Sequence, residues 1–344
     1  MTGAVWARRR EHGDRLLVRL VVWLTLRFGW PVGRLLLYPA TAYFFLALHD
    51  ARTASKQYLR RALGREPAPA DVWRHFFTFA CVILDRVCFL ANRTARFRIR
   101  VVGHQHLAEA LAAKRGCLLL GSHLGSFEVL RAFGRESPVP VKALMYRGTA
   151  GALSAVLEAL DPAVSREVIE IGAPDSMLRV RESLARGEMV GILADRAPDT
   201  QHPIGRRSAL APFLGDTAAF PTGPLALAAV LGVPTVLFFG IRRGPRDYRI
   251  VIEPFAQVAA FPREERQARL GTSVAQYAAR LEAHCRAHPF NWFNFYDFWE
   301  QWQHVAPPGD AARGASYGSA RRGRAALARG TSRNGDAAPR RGAR

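Results

Sequence analysis

The residues best placed to do chemistry are His123 and Glu128, in the stretch GSHLGSFE at 121–128. An imidazole with one nitrogen bonded to a carboxylate keeps a fixed tautomer. Its other nitrogen becomes a better base, able to draw a proton from an alcohol. Such a pair is half of a Ser-His-Asp triad, with the nucleophile brought by the substrate. A histidine beside a glutamate is also a common structural pair, so position has to add weight. CLLL before the motif reads as a buried strand and VLRAFGR after it as a helix, which puts His123 at the carboxyl end of a strand, where α/β folds bind ligands. Gly121 and Gly125 permit tight turns and close approach of the backbone to a ligand. Ser122 and Ser126 are rival nucleophiles, but LGSFE lacks the closing glycine of a nucleophile elbow.

The elements that must position these residues follow from periodicity. FRIRVVG alternates like a strand, and HLAEALAAKRG is a helix closed by Gly116. CLLLGSH is a strand and SFEVLRAFGR a helix. VKALMY, ALSAVLEAL, EVIEI, SMLRVRESLARG and MVGILAD then alternate between strand and helix. PTGPLALAAVLG is a helix, VPTVLFFGI and YRIVIEPF are strands, and a long helix runs through REERQARLGTSVAQYAARLEAHCRAH. The pattern predicts an α/β domain over 96–305, with a central, mostly parallel sheet flanked by helices. Residues 51–95 read as helices packing on that core, with Asp71 as N-cap of the second. The segment 306–344 is rich in Gly, Ala, Ser and Arg, lacks the apolar residues to fold, and is expected to be a disordered basic tail.

Residues 1–50 are apolar with interleaved arginines. No small-residue cleavage site follows a clean apolar core, so this is not a signal peptide. The 18 residues from Pro31 to Leu48 are interrupted by Arg34 and Pro39, and a full span needs about 20. Basic residues flanking Trp23, Trp30, Tyr38 and Tyr43 suit membrane-anchor helices that insert partway or lie in the interface. The alternative is a pair of amphipathic helices capping the core.

The formal charge is +21; residues 306–344 carry nine arginines against two aspartates, which leaves +14 on the rest. Such a surface suits nucleic acid, an anionic membrane or an acidic protein. No zinc-finger spacing or RNA-recognition signature accompanies it, so nucleic acid is not the expected partner. Cys81, Cys88, Cys117 and Cys285 form no CxxC pair and no cluster with histidine; they read as reduced, buried thiols, with no metal site expected.

His123, four residues, then Glu128 resembles the His-x4-Asp/Glu motif of glycerolipid and lipid A acyltransferases. GILADR (191–196) resembles the Asp-Gln/Arg block of the late lipid A acyltransferases. APFLGDTAAFPTGPLALAAVLG (211–232) is similar to their Phe-Gly … Pro-x-Gly … Leu-Ala block, and VPTVLFFG (233–240) to their later strand. HPFNWFNFYDFW (288–299) stands where they carry a Pro-x-x-Trp aromatic segment. The wording of these blocks is most similar to a subgroup associated with aryl-polyene-type lipid biosynthesis.

The resemblance implies a glycerolipid acyltransferase-like fold with an N-terminal membrane-associated helical segment. It implies transfer of an acyl chain from an acyl carrier protein thioester to a hydroxyl of a lipid or glycolipid, on the inner face of the cytoplasmic membrane. No cofactor and no acyl-enzyme are implied. Carried over by position, His123 is the general base and Glu128 its orienting partner. Asp195 and Arg196 line the crevice and meet polar head groups or a phosphate. Arg147, in LMYRG, contacts phosphate or phosphopantetheine. Phe220, Pro221 and Gly223 begin a helix whose N-terminus faces an anion or developing oxyanion. FPTGP lacks the carboxylate of the glycerolipid Pro-Glu-Gly-Thr block, which favours a glycolipid acceptor. The aromatic cluster at 290–302 reads as core packing, with an acyl groove as the alternative. Rival readings are a catalytically silent membrane scaffold of the same fold, a nucleic-acid binder and a serine hydrolase.

Overall fold

The computed structural model describes residues 11–112, 114–129, 139–145, 167–196, 208–255 and 265–299. These all fall within one compact unit, Met1–Trp299. Arg147, Trp302 and the segment expected to be a disordered tail lie outside the described residues.

Four helices come first: α1 (Glu11–Phe28), α2 (Trp30–Ala47), α3 (His49–Leu63) and α4 (Pro69–Leu90). Gly29, at φ +95°, makes the corner between α1 and α2, and α2 carries Pro39 inside it. Gly33 lets the two helices touch, since a Cβ there would strike the Thr25 hydroxyl. The α4 N-cap is Ala68 and not Asp71: the Asp71 carboxylate sits three residues in and accepts the Ala68 N–H at 2.9 Å. None of the helices described is by itself long and apolar enough to cross a membrane, while α2 and α3 together, bent by 95°, pass on length and composition.

The remaining elements are β1 (Arg98–Val102), α5 (His104–Ala112), β2 (Cys117–Gly121), β3 (Val141–Met145), β4 (Val168–Glu170), α6 (Ser176–Ala185), β5 (Met189–Leu193), β6 (Ser208–Phe213), β7 (Asp216–Pro221), α7 (Gly223–Leu231), β8 (Thr235–Gly244), β9 (Asp247–Pro254) and α8 (Arg266–Ala287). Among the described residues seven strands form one sheet in the order β1-β9-β8-β2-β5-β3-β4. Every neighbouring pair is parallel except β8 with β9, a hairpin. This is the mostly parallel α/β sheet expected. The strand β2 lies between β8 and β5, and all five of its residues are buried. Its side chains divide with a period of two. Leu118 and Leu120 enter a core with residues of α3, α6, α7 and α8, whereas Cys117 and Leu119 enter a second core with α5. The helix α4 serves both, through Val72 and Phe76 on one side and Phe89 on the other. All four cysteines are buried and free, and burial pushes the Cys88 and Cys117 thiols up to about 12.

One element departs from expectation. Residues 208–221 form a separate antiparallel hairpin, β6–β7. Phe220 and Pro221 therefore end a strand and do not begin a helix, which starts at Gly223. The hairpin turn is Leu214-Gly215, with φ of +54° and +83°. A two-residue turn of that hand normally announces itself as Asn-Gly or Asp-Gly, and the leucine hides it.

Candidate active site

The site arises where two neighbouring strands end level. β2 pairs β5 in register, with Gly121 opposite Leu193. The ladder continues one step, the Ala194 N–H bonding the Gly121 carbonyl at 3.0 Å. His123 and Asp195 each lie two residues past those strand ends, so equal spacing from a shared register brings them together. His123 Nδ1 lies 2.8 Å from Asp195 Oδ1. A carboxylate only accepts, so Nδ1 donates, and in the neutral ring that tautomer leaves the lone pair on Nε2. The His123 side chain is 39% exposed, and Nε2 has no partner among the described residues.

Asp195 is completely buried. Its second oxygen accepts the Trp292 indole N–H at 2.9 Å and an Arg196 N–H at 3.2 Å. Burial alone would push this carboxyl up. The charges of His123 and Arg196 and the bonds from His123 and Trp292 outweigh it and hold the group well below the usual carboxylate range.

The loop that carries His123 is clamped from both sides. The segment 291–294 runs beside it: the Gly125 N–H bonds the Asn291 carbonyl at 2.8 Å, and the Phe293 N–H bonds the His123 carbonyl at 3.0 Å. On the other side, the Ser126 N–H bonds the Gly240 carbonyl at 2.8 Å. Gly125 sits at φ +76°, and a Cβ there would strike that carbonyl. The close approach that Gly125 permits here is to strand β8. Tyr277 of α8 closes the strand end, its hydroxyl donating to the Gly121 carbonyl at 2.8 Å.

Glu128 stands elsewhere. Its carboxylate pairs with Arg86 of α4 at 2.6 Å, both side chains largely buried, and no hydrogen bond joins it to His123. The expected imidazole partner is replaced by Asp195. The physical reason is competition: a guanidinium offers Glu128 a charged partner, while strand register already supplies His123 with a carboxylate. Arg196 also departs from expectation. Besides Asp195 it bonds the Phe293 carbonyl at 3.1 Å and stacks over Tyr296 at 5.2 Å, so its fork is turned inward. Phe220 is a core residue, edge-on to Phe213, Tyr277 and Phe298. Pro221 is buried beside it, and Gly223 opens α7 with Thr222 as N-cap.

The aromatic segment packs as expected, with Trp292, Phe298 and Trp299 buried. Its polar role was not visible in sequence: a tryptophan in an apolar cluster gives no sign that its N–H meets a carboxylate. Arg86 and Tyr277 gave no signal either, each being one of many residues on a long helix.

The chain matches the family of bacterial lipid A biosynthesis acyltransferases over residues 12–301, which takes in the whole site and most of the chain. No curated protein matches it. A match of that extent, over a strand-end histidine held by a buried carboxylate, makes this chain a member of the bacterial lipid A biosynthesis acyltransferase family and an acyltransferase of lipid biosynthesis.

Proposed function

We propose that the chain moves a fatty acyl group from an acyl carrier protein thioester to a hydroxyl of a glycolipid or related lipid, with His123 as general base. The observation that carries this reading is the His123–Asp195 bond at 2.8 Å, on a side chain that is 39% exposed and whose Nε2 has no partner among the described residues. Nε2 takes the proton of the acceptor hydroxyl as its oxygen attacks the thioester carbonyl. The tetrahedral intermediate then collapses. The new C–O bond remains, the C–S bond breaks, and the imidazolium returns its proton to the departing thiolate. No protein nucleophile is needed, and Ser122 and Ser126 take no covalent part. Asp195 holds the tautomer and stabilises the imidazolium. Glu128 supports the site indirectly, by tying the end of the His123 loop to α4 through Arg86.

We place the chain on the cytoplasmic face of the inner membrane. Supporting this are exposed apolar side chains on the N-terminal helices: Trp23 at 57%, Leu35 at 68% and Leu46 at 74%. The basic body suits both anionic lipid and an acidic carrier protein, so transfer should weaken as salt rises. The aryl-polyene-type subgroup remains the assignment suggested by the wording of the motifs.

The test is expression of the wild type and His123→Ala in a bacterial host, with extracted lipids compared by mass spectrometry. A lipid that gains one acyl unit only with the wild type supports the reading and identifies acceptor and chain together. Equal acylation from both would end it.

A further inference from the structure

A buried chain of contacts runs from the N-terminal helices to the imidazole. Ser55 of α3 and His75 of α4 are both wholly buried, with Oγ 2.8 Å from Nδ1. His75 Nε2 lies 2.9 Å from the Trp292 carbonyl. A carbonyl only accepts, so Nε2 carries the proton and Nδ1 accepts from the serine hydroxyl. The same tryptophan, itself wholly buried, donates its indole N–H to Asp195, and Asp195 holds His123. The indole is fixed between rings as well, edge-on to Tyr58, Phe213 and Phe298. Backbone and side chain of one residue are therefore held by two different layers of the protein.

We propose that Trp292 and His75 are positioning residues for acyl transfer: His75 fixes the Trp292 backbone, and the Trp292 indole fixes the carboxylate that orients His123. The N-terminal helices are then part of the catalytic apparatus as well as its attachment. This rests on His123 being the base. An Asp195 that lost the indole N–H would keep only Arg196 on its second oxygen and would be free to rotate. His123 would lose its aim without losing substrate contacts, so kcat should fall while KM changes little.

The test uses the full chain in detergent with 15N-labelled histidine. In the wild type the Nδ1 proton of His123 should give a low-field resonance, assigned by its disappearance in His123→Ala. Trp292 is then replaced by its benzothienyl analogue, which keeps the bicyclic shape and lacks the N–H. The resonance should shift, and kcat for acylation of extracted host lipids should fall by roughly 10- to 100-fold, the factor matching one charge-assisted hydrogen bond. His75→Leu should act in the same direction, and His75→Gln, which can still donate to the Trp292 carbonyl, should restore most of the loss. An unchanged resonance with kcat within about two-fold of wild type in the benzothienyl variant would overturn the proposal. A His123→Ala protein that is fully active would instead remove the base reading, and this inference with it.

Discussion

Two buried aspartates in this protein are built alike and do different work. Asp195 meets a tryptophan N–H, an arginine and His123. Asp85 of α4 meets a tryptophan N–H, from Trp30 at 2.6 Å, an arginine, Arg242 at 3.2 Å, and the Tyr248 hydroxyl at 2.8 Å. Both carboxylates are at 0% exposure. The third partner separates them. Tyr248 is itself fully buried, whereas the His123 side chain is 39% exposed. At Asp85, burial outweighs Arg242 and the hydrogen bonds from Trp30 and Tyr248, so its carboxyl is raised. At Asp195 the partners win and the carboxyl is lowered. A buried, well-bonded aspartate is thus a clamp unless one of its partners is both titratable and reachable. Asp85 clamps α2 to α4 and the β8–β9 hairpin; Asp195 aims a base.

The sharpest way to break this comparison is to neutralise each acid. Asp195→Asn should lower kcat by roughly 10²- to 10⁴-fold with a modest change in melting temperature, because the wrong tautomer of His123 is then favoured. Asp85→Ala should do the opposite. Leaving Arg242 buried without its carboxylate should cost about 3–5 kcal/mol in urea unfolding, while activity per folded molecule stays near wild type. Should Asp85→Ala abolish turnover in protein that is still folded, the distinction fails.

His75 gives a pH test of the same logic. Burial lowers it to about 4 from 6.5, against the bond to the Trp292 carbonyl, which raises it. What faces it is Ser55, that carbonyl, and the rings of Tyr58, Phe293 and Phe295. A folded-state value below the unfolded one means stability that is complete above about 6.5 and is lost as pH falls toward about 4. The loss should be on the order of 3 kcal/mol. His75→Gln, which does not titrate, should flatten this part of the stability profile.

Smaller effects sharpen the division further. Trp30→Phe removes a donor from the structural carboxylate and should cost about 1–3 kcal/mol in unfolding with little change in kcat. Glu128→Gln weakens its pairing with Arg86 and should lower kcat by less than about 10-fold, well short of Asp195→Asn. If Glu128→Gln proves the more damaging of the two, the working enzyme orients His123 through Glu128 after all.

The difference between the two aspartates was hidden in the sequence, where LADR and ILDR look much the same. The residue pattern by itself determined that a histidine ends a buried strand, that strands and helices alternate around it, and which family the blocks resemble. These are local properties: a period of two in a strand, glycines at turns, motifs a few residues long. What only the tertiary structure decided is partnership. His123 and Asp195 are 72 residues apart, Asp195 and Trp292 are 97, and His75 meets Trp292 across 217. Strand register set the first of these pairs, and packing of the C-terminal segment against α4 and the His123 loop set the others. The same cause drew Glu128 to Arg86. A carboxylate five residues from an imidazole is close in sequence, but its partner is whichever cation the fold brings nearest.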